Sequence, residues 1–137
     1  MSPSFDLEKF LIDVFDPVVG ERVAVVVDRP VPGVPDNDAW RERRAMAATW
    51  RSGLARLGAR IGFETMPLVS FPTTGRSGAD FPFEGEAAER TIPMAAVLDG
   101  TSLLLALTEF SMTAALCDLC KRRPGADVFR AASMPGV

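Results

Sequence analysis

Five polar or charged residues directly follow two apolar runs of the chain. They are Asp28, Arg29, Thr108, Glu109 and Ser111. The first two follow a β-branched run at 22–27, and the other three follow a leucine-rich run at 102–107. In an open parallel sheet, ligands bind beyond the carboxyl ends of the strands, where the strand order reverses. The sequence therefore predicts a ligand-binding crevice lined by these five residues, in which Arg29 holds the carboxylate of Asp28 or of Glu109.

A structural interpretation competes with the ligand-binding one. Serine is a favoured helix N-cap, so Ser111 needs no chemistry to explain its place before a helix, and Glu109 can lie exposed in the loop. A nucleophilic role for Ser111 is excluded, because its surroundings lack the glycines of a nucleophile elbow and the chain has no histidine to activate the hydroxyl. For Asp28 and Glu109, binding and purely structural roles both stay open.

The chain contains no histidine and no tyrosine. Their absence removes Ser–His and Cys–His nucleophilic pairs, the commonest general base and the usual imidazole ligands of catalytic zinc. Any catalysis by these residues alone would have to use carboxylates, arginine, lysine or thiols.

The two cysteines, Cys117 and Cys120, form a C-x-x-C motif inside a predicted helix. In thioredoxin-like motifs the attacking cysteine lies at a helix N-terminus, whereas Cys117 lies more than one turn beyond Ser111. Zinc would need two further ligands, which neither a histidine nor a second cysteine pair can supply. Helical periodicity places Cys120 on the apolar stripe, so packing in the core is favoured over a redox or metal-binding role.

The segment 71–85 is rich in glycine and proline and shows no periodicity, which is typical of a functional or flexible loop. Its TTGRSG stretch offers hydroxyls and a guanidinium to an anion, although turn composition alone explains it. Phe71, Phe81 and Phe83 either fold back as a satellite cluster or form an exposed contact surface. The sequence leaves both arrangements open.

Composition limits the class of protein. At 137 residues the chain has the size of a single domain. Its net charge of −3 argues against nucleic acid as a partner, because a phosphate backbone needs concentrated positive charge. The acidic N-terminus does not read as a secretory signal, and the longest apolar run is too short to span a bilayer. Together with the presence of only two cysteines, these features predict a cytoplasmic protein with no membrane partner.

Periodicity and helix breakers predict four strands and three principal helices. The helices are expected at 5–15, at 38–57 with Asp38 as N-cap and Gly58 as stop, and at 111–123. The strands are expected at 22–28, at 59–71 with an end near Pro67, at 102–107 and at 127–133, with a short helix near Glu86. Strand–helix alternation predicts one three-layer, Rossmann-like α/β domain over 1–137. Its mostly parallel four-stranded sheet is expected in the order 2-1-3-4, with helices on both faces.

Four segments carry a family resemblance. They are PVVGERVAVVVDRP (17–30), LARLGARIGFE (54–64), LLLALTEFSMTAA (103–115) and FRAASMPGV (129–137). In this order they resemble the N-terminal region of the thermophilic metallo-aminopeptidases, of the leucyl aminopeptidase or aminopeptidase T type, and of the related dihydroxypyridine dioxygenases. The last two segments carry most of the likeness, which covers nearly the whole chain.

The resemblance implies the non-catalytic N-terminal domain of a larger two-domain metalloenzyme, which frames the substrate cleft and supports dimerisation. In that family the divalent-metal ligands belong to the C-terminal domain, so no ligand position carries over and no cofactor is expected in this chain. A family histidine falls near Ala114 here, so its role is lost as well. The implied partners are a second copy or a C-terminal catalytic domain, and the chain alone is expected to be inactive. A stand-alone small-ligand-binding or protein-interaction domain is the alternative.

Overall fold

The computed structural model describes residues 6–122 and 129–134, which form a mixed α/β arrangement. The helices are α1 (Leu7–Phe15), α2 (Asp38–Ile61), α3 (Met94–Asp99) and α4 (Thr113–Arg122). The strands are β1 (Arg22–Arg29), β2 (Glu64–Thr65), β3 (Val69–Pro72), β4 (Glu84–Ala87), β5 (Arg90–Pro93), β6 (Leu103–Ala106) and β7 (Arg130–Ser133). Over these ranges, no helix has both the length and the apolar character needed to cross a bilayer.

The strands form one mostly parallel sheet. Along its main path they follow the order β5-β4-β3-β1-β6-β7, and the short β2 pairs with the start of β1. The pairs that β1 makes with β2, β3 and β6 are parallel, as is the pair of β6 with β7, whereas β4 and β5 are antiparallel. Chain order therefore reverses between β1 and β6, which is the location that the sequence assigned to the crevice. The described residues contribute seven strands, so the predicted number of four was too low.

Helices cover both faces of the sheet, as predicted. Along β1, Val23, Val25 and Val27 pack with side chains of α1 and α2, whereas Val26 packs on the opposite face with side chains of α3 and α4. All four valines are buried. Burial on both faces explains why this strand is a continuous β-branched run instead of an alternation of apolar and polar residues.

The predicted end of α2 at Gly58 was wrong. The helix continues to Ile61 and ends at Gly62, which adopts the left-handed conformation with φ 106°. A Cβ atom at Gly58 would lie 2.5 Å from the carbonyl oxygen of Phe63. Glycine is therefore needed at this position because the chain folds back closely against the last turns of the helix, and not because the helix stops there.

The segment between α2 and β6 differs most from the prediction. The strand expected at 59–71 begins as the end of α2 and is then split into β2 and β3. The short helix expected near Glu86 was wrong, because β4 and β5 form an antiparallel hairpin. The two turn residues, Ala88 and Glu89, have positive φ angles of 51° and 66°. Turns of this kind are normally signalled by Asn or Gly, so the sequence carried no indication of a hairpin.

The predicted burial of Cys120 was wrong, since Cys117 and Cys120 are both exposed. The buried face of α4 is formed by Ala115 and Leu116, next to Met112. Among the described residues, β7 is the outermost strand on this side of the sheet, and α4 packs against it. The outer side of α4 therefore extends past the sheet, which explains why its thiols face solvent. Parts of the helix expected at 111–123 and of the strand expected at 127–133 lie outside the described residues.

Candidate functional site

Asp28 is the polar centre of the predicted crevice. It lies near the carboxyl end of β1 and is only 1% exposed. Its Oδ1 accepts hydrogen bonds from the indole Nε1 of Trp40 at 3.0 Å and from the backbone N of Glu109 at 2.9 Å. Its Oδ2 accepts a hydrogen bond from the Oγ1 of Thr73 at 3.2 Å. Asp28 therefore connects the first turn of α2, the loop after β3 and the loop after β6 through hydrogen bonds.

Glu109 extends this network on the solvent side. Its Oε1 accepts a hydrogen bond from Arg43 Nη1 at 3.0 Å, and its Oε2 accepts one from Asn37 Nδ2 at 2.6 Å. The side chains of Arg43 and Glu109 are 15% and 20% exposed, so this ion pair is largely shielded from water. Both carboxylates that the sequence singled out therefore already have partners within the chain.

Asn37 has a second function in the same place. Its side-chain oxygen accepts a hydrogen bond from the backbone N of Trp40 at 2.8 Å, which makes Asn37 the N-cap of α2. The prediction that Asp38 caps the helix was therefore wrong by one residue. One amide side chain thus starts α2 and also holds the carboxylate of Glu109, so the helix start and the loop after β6 are fixed to each other.

Arg29 does not hold either of the predicted carboxylates. Its Nη2 donates to Glu86 Oε1 at 3.0 Å, and its Nη1 donates to Ser70 Oγ at 3.3 Å. Successive side chains of a strand point to opposite faces of the sheet, so Arg29 and Asp28 diverge. The structure brings Asp28 and Glu109 together and directs Arg29 toward the β4–β5 hairpin.

The two predicted hydroxyl residues of the crevice have local partners. Thr108 is fully buried, and its Oγ1 donates to the backbone oxygen of Phe110 at 2.6 Å. The Oγ of Ser111 accepts a hydrogen bond from the backbone N of Thr113, the first residue of α4, at 3.2 Å. The backbone N of Ser111 donates to Ser77 Oγ at 3.0 Å, so the loop after β3 is attached to this corner. These contacts favour the structural interpretation of Ser111.

Two neighbouring arginines of α2, Arg43 and Arg44, have different partners. The guanidinium of Arg44 lies over the indole ring of Trp40, 5.5 Å from the ring centre. Arg44 also donates to both carboxylate oxygens of Asp36. This hydrogen bonding holds the pKa of Asp36 below its ordinary value of 3.8. Arg43 instead pairs with Glu109 in the loop after β6.

Sequence reasoning missed four members of the network around Asp28 and Glu109: Asn37, Trp40, Arg43 and Thr73. One signal was available, because a buried indole N–H requires an acceptor and Trp40 lies on the apolar stripe of α2. Asn immediately before a helix is also a recognised cap. The partner of each donor depends on how the loops meet in space, and this information is not contained in the local sequence.

A separate open groove lies between the 80–83 segment, α3 and α4. Its volume is about 400 Å³. Met94 and Ala115 are buried at its base, whereas Phe83 at its rim is 96% exposed. The ring centres of Phe71 and Phe81 lie 5.6 Å apart in an edge-on arrangement. Of the three phenylalanines of this loop, two fold back onto the domain and one forms exposed surface.

The rim of this groove is acidic. Three aspartates line it, together with a single arginine: Asp80, Asp99, Asp118 and Arg122. Arg122 pairs with Asp118 at 3.0 Å, which leaves two carboxylates without an opposing charge from the lining. The groove therefore combines an apolar floor, an exposed aromatic ring and a net negative rim.

Within residues 6–122 and 129–134, no three Cys, Asp or Glu side chains come together as a possible metal-binding group. Searches against protein-family models, curated proteins and solved structures found no match to the chain. Function is therefore inferred from the geometry of the crevice and the groove.

Proposed function

We propose that this chain is a Rossmann-like, non-catalytic domain of a leucyl aminopeptidase-like metalloenzyme, in which it frames the substrate cleft and supports dimerisation. The resemblance of its four segments to the N-terminal region of that family supports the proposal. The observation that carries it is the internal pairing of the two carboxylates at the carboxyl edge of the sheet. Asp28 accepts three side-chain and backbone hydrogen bonds, and Glu109 accepts two.

This pairing suits a framing surface better than a ligand site. A ligand that used Asp28 or Glu109 would have to displace donors of the chain, and buried donors left without partners cost about 1–3 kcal/mol each. The same hydrogen bonds hold the loops after β1, β3 and β6 in one arrangement. A rigid edge of this kind supports chemistry that is carried out by residues supplied from elsewhere.

The purified chain is expected to show no metal-dependent hydrolysis of amino-acyl amides. A catalytic zinc site takes three protein ligands, whereas the chain has no histidine and its two carboxylates at the edge are already hydrogen-bonded. The measurement is product release in the presence of Zn²⁺, Co²⁺ or Mn²⁺, compared with the heat-denatured chain. Hydrolysis that depends on the metal and is removed by Glu109→Gln would refute the non-catalytic assignment.

The groove supports the second part of the proposal, which is contact with a partner polypeptide. A phenylalanine that is 96% exposed at the edge of an apolar groove is costly in water and becomes favourable when a partner covers it. Its backbone is fixed, because the carbonyl oxygen of Phe83 accepts a hydrogen bond from Met94 N at 2.8 Å. The exposed ring is therefore presented from a defined position, and we assign the dimer contact to this groove.

Phe83→Ser is expected to weaken dimerisation about tenfold, which corresponds to about 1.4 kcal/mol, while the melting temperature of the chain, measured at a dilution where it is monomeric, stays unchanged. Sedimentation velocity over a concentration series measures the equilibrium. The matched control is Val19→Ser, because Val19 is also exposed, at 74%, but does not line the groove. A wild-type chain that stays monomeric at high concentration, or equal effects of the two substitutions, would show that the groove is not the dimer contact.

A further inference from the structure

Periodicity placed Cys120 on the buried face of α4, whereas the structure places the cysteine pair of this helix at the protein surface. Cys117 and Cys120 are both exposed and line one shallow cleft of about 320 Å³ between α4 and β7. Leu116 and Ala131 contribute apolar wall to this cleft, and Lys121 lies beside it. Two thiols on one helix therefore open onto one partly apolar space.

We propose that Cys117 and Cys120 together bind a soft monovalent metal ion with two-coordinate preference, of which Cu(I) is the type. Side chains three residues apart on a helix have Cβ atoms about 5–6 Å apart, which lets two sulfur atoms reach one ion between them. Thiolates are soft ligands and select Cu(I) over hard divalent cations. The chain has only these two cysteines and no histidine, so a closed four-ligand zinc site is not available here.

The charges around the cleft fit this ion. Each thiol gives up its proton to solvent as its bond to the metal forms, so two protons leave for each ion bound. The resulting unit of two thiolates and one monovalent cation carries a net charge of −1. Lys121 lines the same cleft and can balance that charge, whereas the intervening acid Asp118 is already paired with Arg122 at 3.0 Å.

The fold also restricts the position of one thiol. The Cys120 sulfur lies 3.7 Å from the backbone oxygen of Phe129, within range of a weak hydrogen bond. In the metal-free, protonated thiol this contact directs the side chain toward the β7 side of the helix, where the cleft lies, and the hydrogen bond is given up when the proton leaves and the sulfur binds the metal. Leu116, which is 4% exposed, also lines the cleft and contributes an apolar wall to it. A partly positioned dithiol should bind the ion more tightly than the same two cysteines in a flexible chain.

The test is an anaerobic titration of the reduced chain with Cu(I), in competition with the coloured chelator bathocuproine disulfonate. One ion per chain is expected. Cys117→Ser and Cys120→Ser should each weaken binding about 100-fold, because the second sulfur acts at a high effective concentration. Lys121→Gln should weaken it by a smaller factor, and Lys9→Gln, on the exposed surface of α1, should leave it unchanged.

Two controls separate a built site from any pair of thiols. The wild-type chain unfolded in urea contains the same motif, and it is expected to bind Cu(I) about tenfold more weakly than the folded chain. Alkylation of the folded wild type with iodoacetamide should abolish binding without a change in the circular dichroism spectrum, which covers the case that a serine variant fails to fold. Equal affinity of the folded and unfolded chains, full affinity in either serine variant, or formation of a Cys117–Cys120 disulfide in place of a metal complex under these reducing conditions would overturn the proposal.

Discussion

Asp28→Ala is expected to lower the free energy of unfolding by about 2–4 kcal/mol, because buried donors lose their only charged acceptor. The backbone N of Glu109 and the hydroxyl of Thr73 would be left facing an apolar methyl group. The indole of Trp40 would be affected less, since its Nε1 also donates to the backbone oxygen of Asp28 at 3.1 Å. Urea unfolding followed by circular dichroism measures the loss.

Asp28→Asn separates the charge of this side chain from its shape. An amide keeps one acceptor oxygen for Trp40 and Glu109 and places an NH2 group where the second oxygen was, from which it can donate to the Thr73 hydroxyl, so a smaller loss than for Asp28→Ala is expected. Glu42→Gln is the matched carboxylate-to-amide change at an exposed position of α2, and it should stay within about 0.5 kcal/mol of wild type. If Asp28→Ala were equally harmless, the network would not stabilise the loops.

The second large effect is expected at Gly58. In the middle of a helix, Gly→Ala usually stabilises by about 1 kcal/mol. At Gly58 the new Cβ would lie 2.5 Å from the backbone oxygen of Phe63 and 3.1 Å from its ring. The chain after α2 would have to move, and such overpacking costs about 1–3 kcal/mol. Gly58→Ala is therefore expected to be destabilising, which reverses the usual sign, and the urea midpoint should fall.

Gly53→Ala is the internal control for this prediction. Gly53 lies in the same helix, and its new Cβ would meet the Cδ2 of Leu7 at 3.0 Å, at the end of a flexible side chain that can move. A smaller change than for Gly58→Ala is expected. Equal stability changes in the two variants would show that the approach of Phe63 does not determine the need for glycine at position 58.

The sheet edge that holds the candidate site was predictable because its signals are local. A β-branched run ends near Asp28 and a leucine run ends before Thr108, and parallel strands place their carboxyl ends at one edge. This rule predicts that Asp28 and Glu109 lie near each other at the same edge. The direction of Arg29 also follows from strand alternation, but its partner Glu86 lies in a hairpin whose turn residues, Ala88 and Glu89, give no hairpin signal.

Other parts of the site were not predictable because they depend on how elements pack. The N-cap of α2 could have been assigned to Asn37 or Asp38 from sequence, since both residue types cap helices well. In the structure the cap is Asn37, whose side chain also donates a hydrogen bond to Glu109, in a loop 72 residues away. The exposure of Cys120 likewise follows from the position of α4 over β7, the outermost strand of the described sheet, and not from the periodicity of the helix.

Hydrogen bonds join the loops after the central strands into one unit. Asp28 fixes the loop after β6 through Glu109 and the loop after β3 through Thr73. Glu109 then fixes the start of α2 through Arg43. At the edge where a small ligand was expected, the protein's own side chains are hydrogen-bonded to the two carboxylates, and we propose the exposed groove at Phe83 as the surface for contact with a partner.

The measurement that tests this claim most directly is a double-mutant cycle on Arg43 and Glu109. The free energy of unfolding is determined by urea for wild type, Arg43→Met, Glu109→Gln and the double variant. The largely shielded pair, joined at 3.0 Å, should show a coupling energy of about 1 kcal/mol. A coupling energy near zero would show that these side chains do not hold each other, and would contradict the view that the carboxyl edge of the sheet is a closed structural surface.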